Sequence, residues 1–404
     1  MRDTKEQPFT IVALDANLDT ITMVPYSNLQ WNRKYHEPGT FSIVLNNRVQ
    51  YTKDWKYIYT SARPEMGRIS QVNWSKKNNV STVTISGKFL EEELNNMICY
   101  PKPTHFASAS GSDPDIGVSV LAENSPTWIS KEGPANEVAT AFFNGFKQLN
   151  FKNYEIGDFS GTTLKTKNFV IPIELSEVEA GEYKYSAHTR NGEKLGSKLY
   201  DILNESKASF RISFNFEKKL FYMNIIHGKD RTATTPDLDI NPCVLSTQNG
   251  TISEASLVTS NTDTKDTVLQ YSEGDDLTMV MINTKPNSSG RIIAQSMSIN
   301  RSDYLDNGMT TEEARKQFRL DAMANASDTL RDKTDKFNFQ FSAVNGSYEY
   351  MEDFDIGDMI SIEVPEIDLS LDAQIVGCYE VVKNGIWALS LEVGSTILRK
   401  RGNF

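Results

Sequence analysis

The segment Trp31-Asn32-Arg33-Lys34-Tyr35-His36-Glu37-Pro38-Gly39-Thr40-Phe41-Ser42-Ile43-Val44-Leu45 decides the fold. It turns on Pro38-Gly39 and then alternates, with Phe41, Ile43 and Leu45 interleaved by Ser42, Val44 and Asn46. Period two predicts a strand with one buried and one wetted face. Pro38-Gly39 predicts a tight turn in which the glycine can take a positive φ. A second segment near the other end has the same design: Phe354-Asp355-Ile356-Gly357-Asp358-Met359-Ile360-Ser361-Ile362. Gly357-Asp358 is again a turn feeding an alternating strand. Two similar β units at opposite ends of the chain are therefore expected.

Working outward, strands are expected from Phe9 to Ser86, including Thr20–Val24 and the alternation around Val83 and Ile85, with Lys76-Lys77-Asn78-Asn79 as a polar turn. Residues 1–100 read as a first barrel-like β domain. Residues 101–134, punctuated by five prolines and the run Ser108-Ala109-Ser110-Gly111-Ser112-Asp113, read as an extended excursion. Helical faces follow at Val138, Phe142, Phe146 and Leu149, and at Leu195, Leu199, Ile202 and Leu203. Phe210, Ile212, Phe214 and Phe216 alternate as a strand, so 135–235 reads as a small α/β domain. Residues 236–404 read as a second barrel-like domain. Inside it, Thr310-Thr311-Glu312-Glu313 has the form of a capping box and opens a helical insertion near 311–333, with Ala314, Phe318, Ala322, Ala326 and Leu330 on one side. Asn384-Gly385 predicts a hairpin turn before Trp387, Leu389, Leu391 and Val393. The fold class is mainly β with α+β: two barrel-like antiparallel domains, an inserted α/β domain and a helix near the C-terminal third.

Composition narrows the function classes. At 404 residues, two to four domains are expected. No run of about 18 apolar residues occurs, so no membrane segment is expected. The first residues lack the apolar core of a signal peptide, which points to synthesis and assembly in a cytoplasm. Cys99, Cys243 and Cys378 are scattered, with no Cys-x-x-Cys pair, and are expected to be buried or neutral. The net charge of −11 disfavours broad binding to phosphate backbones. It suits either plain solubility or a tube through which DNA must slide without sticking.

Candidate chemistry is sparse. His36, His105, His188 and His227 form no metal-ligand spacing. Neither a Gly-x-Ser-x-Gly nor a phosphate-cradling glycine loop is present. Glu91, Glu92 and Glu93 point different ways on a helix and read as a solvated face, and Asp113-Pro114-Asp115 lacks the further oxygens of a calcium site. No catalytic, cofactor or metal residues are assigned. The turn residues have structural readings instead. Trp31 is expected in the core with its indole N–H bonded. Arg33 and Glu37 are expected to pair across the turn, to reach a neighbouring subunit, or to form a weak surface pair. Asp230-Arg231 is expected as an intersubunit contact or a local turn.

These stretches also resemble, in order, a phage tail-hub family: the siphovirus-type relatives of the central baseplate hub of contractile tails, akin to the N-terminal hub part of tail-associated lysins. The matching residues are Trp31, Arg33, Glu37, Pro38, Gly39 and Phe41; Gly87-Lys88-Phe89-Leu90-Glu91-Glu92-Glu93-Leu94; Leu199-Tyr200-Asp201-Ile202-Leu203; Gly228-Lys229-Asp230-Arg231-Thr232; and Gly357-Asp358. The resemblance runs from about Ile11 to Val393. It implies a structural, non-enzymatic baseplate or tail-tip hub. Such a hub forms a homotrimeric ring joining a sixfold tail tube to a threefold tip, in the virion tail or a tail-like particle assembled in the bacterial cytoplasm. The implied partners are tail-tube or distal tail proteins, the tape-measure protein, and tip, spike and other baseplate proteins. DNA touches it only in passage through the lumen, and no cofactor is implied. The alternatives are the hub portion of a cell-wall lysin or peptidase, and a host-surface carbohydrate-binding tail module. With the chain running out at Arg399-Lys400-Arg401-Gly402-Asn403-Phe404, no room for an added enzyme domain is expected.

Overall fold

The computed structural model describes residues 9–46, 50–78, 80–99, 130–151, 155–157, 163–165, 173–175, 184–188, 193–204, 206–217, 220–235, 237, 239–260, 265, 267–272, 279–283, 292–297, 308–316, 318–320, 322, 336–343 and 348–398. The chain divides into two compact units, residues 1–255 with 340–404, and residues 256–339. The division thus falls within the expected second domain and not at its border near residue 236.

The largest sheet among the described residues has 14 strands. Its order is Ile252–Ser260, Lys336–Ala343, Ile386–Leu398, Leu369–Lys383, Tyr26–Lys34, Thr40–Leu45, Val80–Phe89, Gly67–Lys77, Tyr57–Tyr59, Val12–Leu14 and Thr20–Met23. Met359–Val364 adds to Leu369–Lys383 and carries Asp230–Arg231 and Val244–Ser246 as parallel partners. The mainly β expectation holds. The β segments at the two ends are direct neighbours, because Tyr26–Lys34 pairs antiparallel with Leu369–Lys383, Trp31 opposite Glu380 and Arg33 opposite Cys378. On its other side Trp31 stands opposite Phe41.

Strand alternation sorts the side chains. Leu29, Trp31 and Arg33 go to the buried face with Phe41, Ile43, Leu45 and Ile85. Trp31 is the centre of that core, with ring centroids 4.7 Å from Phe89, 6.0 Å from Phe9 and 6.1 Å from Phe41. Truncating such a residue costs about 3–5 kcal/mol. Asn384 and Gly385, at φ 54° and 78°, make the hairpin turn joining Leu369–Lys383 to Ile386–Leu398.

The α/β part packs as its periodicity requires. Helices Ala135–Phe151 and Leu195–Asn204 bury Val138, Phe142, Leu195, Leu199, Ile202 and Leu203 in one core with Phe210, Ile212 and Phe221. Strands Ala208–Asn215 and Leu220–His227 form an antiparallel pair, with Ile173–Leu175 parallel to the second. The side chains of Phe146 and Leu149, and residues 100–129 of the expected excursion, lie outside the described residues; Ser130–Pro134 is a strand.

In the second unit, Thr267–Ser272 is flanked by Met279–Asn283, antiparallel, and Ile292–Met297, parallel. The capping box is formed. Glu313 Oε2 accepts the Thr310 N–H at 2.9 Å, and the Glu313 N–H reaches Thr310 Oγ1 at 3.3 Å. Ala314, Phe318 and Ala322 are buried together on the expected face. Residues 323–333 of that expected helix lie outside the described residues.

Two glycines at positive φ separate backbone strain from crowding. Gly357 has φ 96°, and a Cβ there would lie 2.4 Å from the Tyr35 ring, whereas Gly385 has φ 78° and open space. Gly385→Ala is expected to cost about 1–2 kcal/mol and Gly357→Ala at least about 2 kcal/mol more, since the ring must also move. Urea unfolding of the two variants measures the difference; equal losses would remove the crowding argument.

Candidate functional site

Residues 31–45 and 354–362 meet at one guanidinium. Arg33 leaves strand Tyr26–Lys34 on its buried face and is 1% exposed. Its Nε donates to Glu65 Oε1 at 2.8 Å, and its Nη1 donates to Asp355 Oδ1 and to the Tyr350 hydroxyl, each at 2.6 Å. Glu65 arrives on the loop between Tyr57–Tyr59 and Gly67–Lys77. A bridge between Glu65 and Ser213 brings up Arg211, whose Nε lies 2.9 Å from the same Glu65 oxygen. Two guanidinium groups and two carboxylates thus balance in the interior, as buried charges must.

Electrostatics follow from that balance. Burial disfavours the Arg33 charge, but Glu65, Tyr350 and Asp355 more than reverse this and hold the group protonated. Burial pushes the Glu65 carboxyl up, yet Arg33 and then Arg211 bring it below its usual range. Asp355 is likewise lowered, chiefly by Arg33 against burial. Beside this cluster, Arg63 donates from Nε to Glu380 Oε1 at 2.6 Å and stacks over Phe9 and Tyr350 at 4.7 and 5.3 Å. The Trp387 indole N–H donates to Glu380 Oε2 at 3.0 Å.

A second junction ties in the stretch 228–232. Asp358 accepts Arg231 Nε at 2.9 Å, the Lys229 N–H at 2.7 Å and the Asp355 N–H at 3.0 Å. Tyr35, two residues on from Arg33, lies against Gly357 and donates its hydroxyl to the carbonyls of Lys207 and Ile226 at 3.0 and 3.1 Å. The stretches around residues 31–41, 228–232 and 354–358 therefore form one packed region.

Several expectations are corrected by these contacts. Arg33 does not pair with Glu37. Strand alternation sends Arg33 inward, while Glu37 sits on the turn, 65% exposed and 3.5 Å from Lys34. Of the two expectations for Asp230-Arg231, the local turn is present, with Asp230 accepting the Thr232 N–H at 3.0 Å, and Arg231 is buried on Asp358 of its own chain. Trp31 is buried as expected, but its indole N–H has no hydrogen-bond partner among the described residues. Gly39 is required by close approach and not by a positive φ: a Cβ would fall 2.3 Å from the Asn32 carbonyl oxygen and 2.6 Å from Phe89. Pro38 is half-buried beside it, and Phe41 is in the core.

The acidic run also differs from a uniform solvated face. Glu92 and Glu93 pair with Lys88 and Arg68 at 2.8 and 2.6 Å, but Glu91 is buried. Glu91 Oε1 accepts the Ile212 N–H at 2.9 Å, and its Oε2 has no partner among the described residues. Burial raises its pKa from 4.5 to about 7. Glu65, Arg63, Arg211, Tyr350, Asp355 and Glu380 were not singled out by sequence reasoning. The polar Arg63-Pro64-Glu65 between two strands, and Asp355 beside the glycine turn, were the available signals.

Burial also sets the state of the described thiols and of His36. Burial pushes the Cys243 thiol up to about 12 and the Cys378 thiol higher still. Burial lowers His36 to about 4. His36 borders a polar groove of about 530 Å³ in which Lys34 pairs with Glu392 at 2.7 Å and Lys88 with Glu92. Among the described residues no group of three or more His, Cys, Asp or Glu side chains is placed to hold a metal ion, and no helix is long and apolar enough to cross a membrane. His105, Asp113 and Asp115, and the Cys99 side chain, lie outside the described residues.

A family model described as Siphovirus ReqiPepy6 Gp37-like protein matches residues 11–120 and 149–395. Two solved structures are similar over nearly the whole chain. One is the tail protein from Neisseria meningitidis, with 11% identity, a TM-score of 0.51, and coverage of 95% of this chain and 96% of that one. The other is the 43 kDa tail protein of prophage MuSo2 from Shewanella oneidensis, with 10% identity, a TM-score of 0.51, and coverage of 95% and 98%. At such identity the likeness establishes a shared fold. No curated protein matches the sequence.

Arg33→Met is expected to cost about 3–5 kcal/mol, because it leaves Glu65 buried without its main counter-charge; urea unfolding checks this, and a loss under 1 kcal/mol would mean the junction is not a strong stabilising contact. The two kinds of carboxylate give opposite pH signs. Glu65 and Asp355 titrate below their unfolded values, so their stabilisation is complete above about pH 4.5 and is lost on further acidification. Glu91 titrates above its unfolded value, so its contribution falls as pH rises from 4.5 to about 7. Glu91→Gln keeps the acceptor for Ile212 and cannot ionise. Relative to the wild type it is expected to gain about 2–3 kcal/mol between pH 4 and pH 8, and a pH-independent difference would contradict the assignment.

Proposed function

We propose that this chain, which belongs to the Siphovirus ReqiPepy6 Gp37-like protein family, is a structural hub subunit of a phage tail or phage-tail-like particle. In this reading it assembles as a homotrimeric ring at the tail end, joining the sixfold tube to a threefold tip. The observation that carries the reading is the fold, shared along 95% of this chain with two tail proteins over nearly their full lengths. The buried junction supports it. A ring that transmits force between tube and tip needs subunits that do not open, and Arg33 and Arg231 fasten distant parts of the first unit to one another. Its partners would be tube or distal tail proteins, the tape-measure protein, and tip or spike proteins, with DNA only passing through. The role is mechanical, not enzymatic: the site is a set of mutually neutralised charges with its thiols held protonated.

Electron microscopy of particles from a strain lacking the gene tests this. Missing or untipped tails are expected. Complete, normally tipped tails that fail only at adsorption or wall penetration would overturn the hub reading in favour of a surface-binding or lytic role.

A further inference from the structure

The hairpin of Gly67–Lys77 and Val80–Phe89 outruns the sheet that holds it. Val80–Phe89 is paired with Thr40–Leu45 only from Thr84 to Lys88, and Gly67–Lys77 meets Tyr57–Tyr59 only at Gly67 and Arg68. Beyond those points it continues as a two-stranded ribbon, Trp74 opposite Val83 and Lys77 opposite Val80. No further strand flanks this part among the described residues. Every residue from Ser70 to Lys77 is exposed. A lone two-stranded ribbon is marginal in water, and a bare strand edge is a template for another chain.

The ribbon is two-faced. Val72 stands opposite Ile85 and Trp74 opposite Val83, so these four share one face. Ile85 belongs to the core, and from it an apolar stripe runs outward to Trp74, which is 65% exposed. Exposed tryptophan on such a stripe is the residue type that anchors protein interfaces. The charge points to the occupant. Residues 70–83 carry Lys76 and Lys77 and no Asp or Glu, in a chain of net charge −11. A second copy of this chain therefore presents, on balance, the opposite charge to the ribbon.

We propose that the ribbon 70–83 is the arm by which one copy of the chain docks on the next, with Trp74 and Val72 covered and the open edge of 70–77 paired. The inference rests on the ring reading above and names its contact. Because the ribbon must fit a different surface of the neighbour, the contact is head-to-tail, the type that closes into rings.

Native mass spectrometry and sedimentation of the full chain decide it, with wild type, Trp74→Lys and the pair Lys76→Glu/Lys77→Glu compared. The wild type is expected to be trimeric. Trp74→Lys is expected to weaken assembly at least about tenfold with an unchanged circular dichroism spectrum. The charge reversal, at exposed positions that leave the fold alone, is expected to weaken assembly most at low salt. A trimeric wild type with both variants equally trimeric would overturn the ribbon contact and leave the ring reading standing. A wild type that is monomeric at every concentration would overturn both.

Discussion

Arg33 is the constraint on which the first unit depends. A guanidinium cannot be neutralised at any pH a protein meets, so once strand alternation turns it inward its partners must come to it. They come from far along the chain: Glu65 from a loop between strands, Tyr350 and Asp355 from the segment before the last strands. Both ends of the chain therefore meet beside Trp31, with Glu380 opposite it in the sheet. Leaving either acidic partner out would strand a charge beside the core.

That requirement orders the surroundings. Asp355 is held in position by its own amide on Asp358, and Asp358 in turn takes Arg231 and the Lys229 amide. Gly357 lets Tyr35 lie against the same turn. On the hub reading this is the property a subunit under axial load needs: the pairs are short, internal and shielded from salt, unlike surface bridges that loosen with ionic strength. On the docking proposal above, the contacts between copies would fall to the exposed ribbon, where Trp74 and two lysines stand clear of the core.

Local pattern made much of this legible. The alternation after Gly39, the Asn384-Gly385 turn, the Thr310–Glu313 box and the helical faces at Val138 and Leu195 all occur where their periodicity places them. Partner choice was not legible. Arg33 and Glu37 are close in sequence and opposite in sign, but the buried face of the strand excludes the turn residue. Glu91 is one of three consecutive acids, and only the arrival of strand Ala208–Asn215 distinguishes it from its neighbours. That the first and last β segments share one sheet depends on a register between residues some 350 positions apart, which no local window contains.

The most direct test of that shared sheet is native-state hydrogen exchange under increasing denaturant, followed by mass spectrometry. Amides of Tyr26–Lys34, Met359–Val364 and Leu369–Lys383 should lose protection together in one cooperative opening. If the C-terminal strands open at clearly lower denaturant while Tyr26–Lys34 stays protected, the two ends are separate units and the Arg33 junction does not hold them as one.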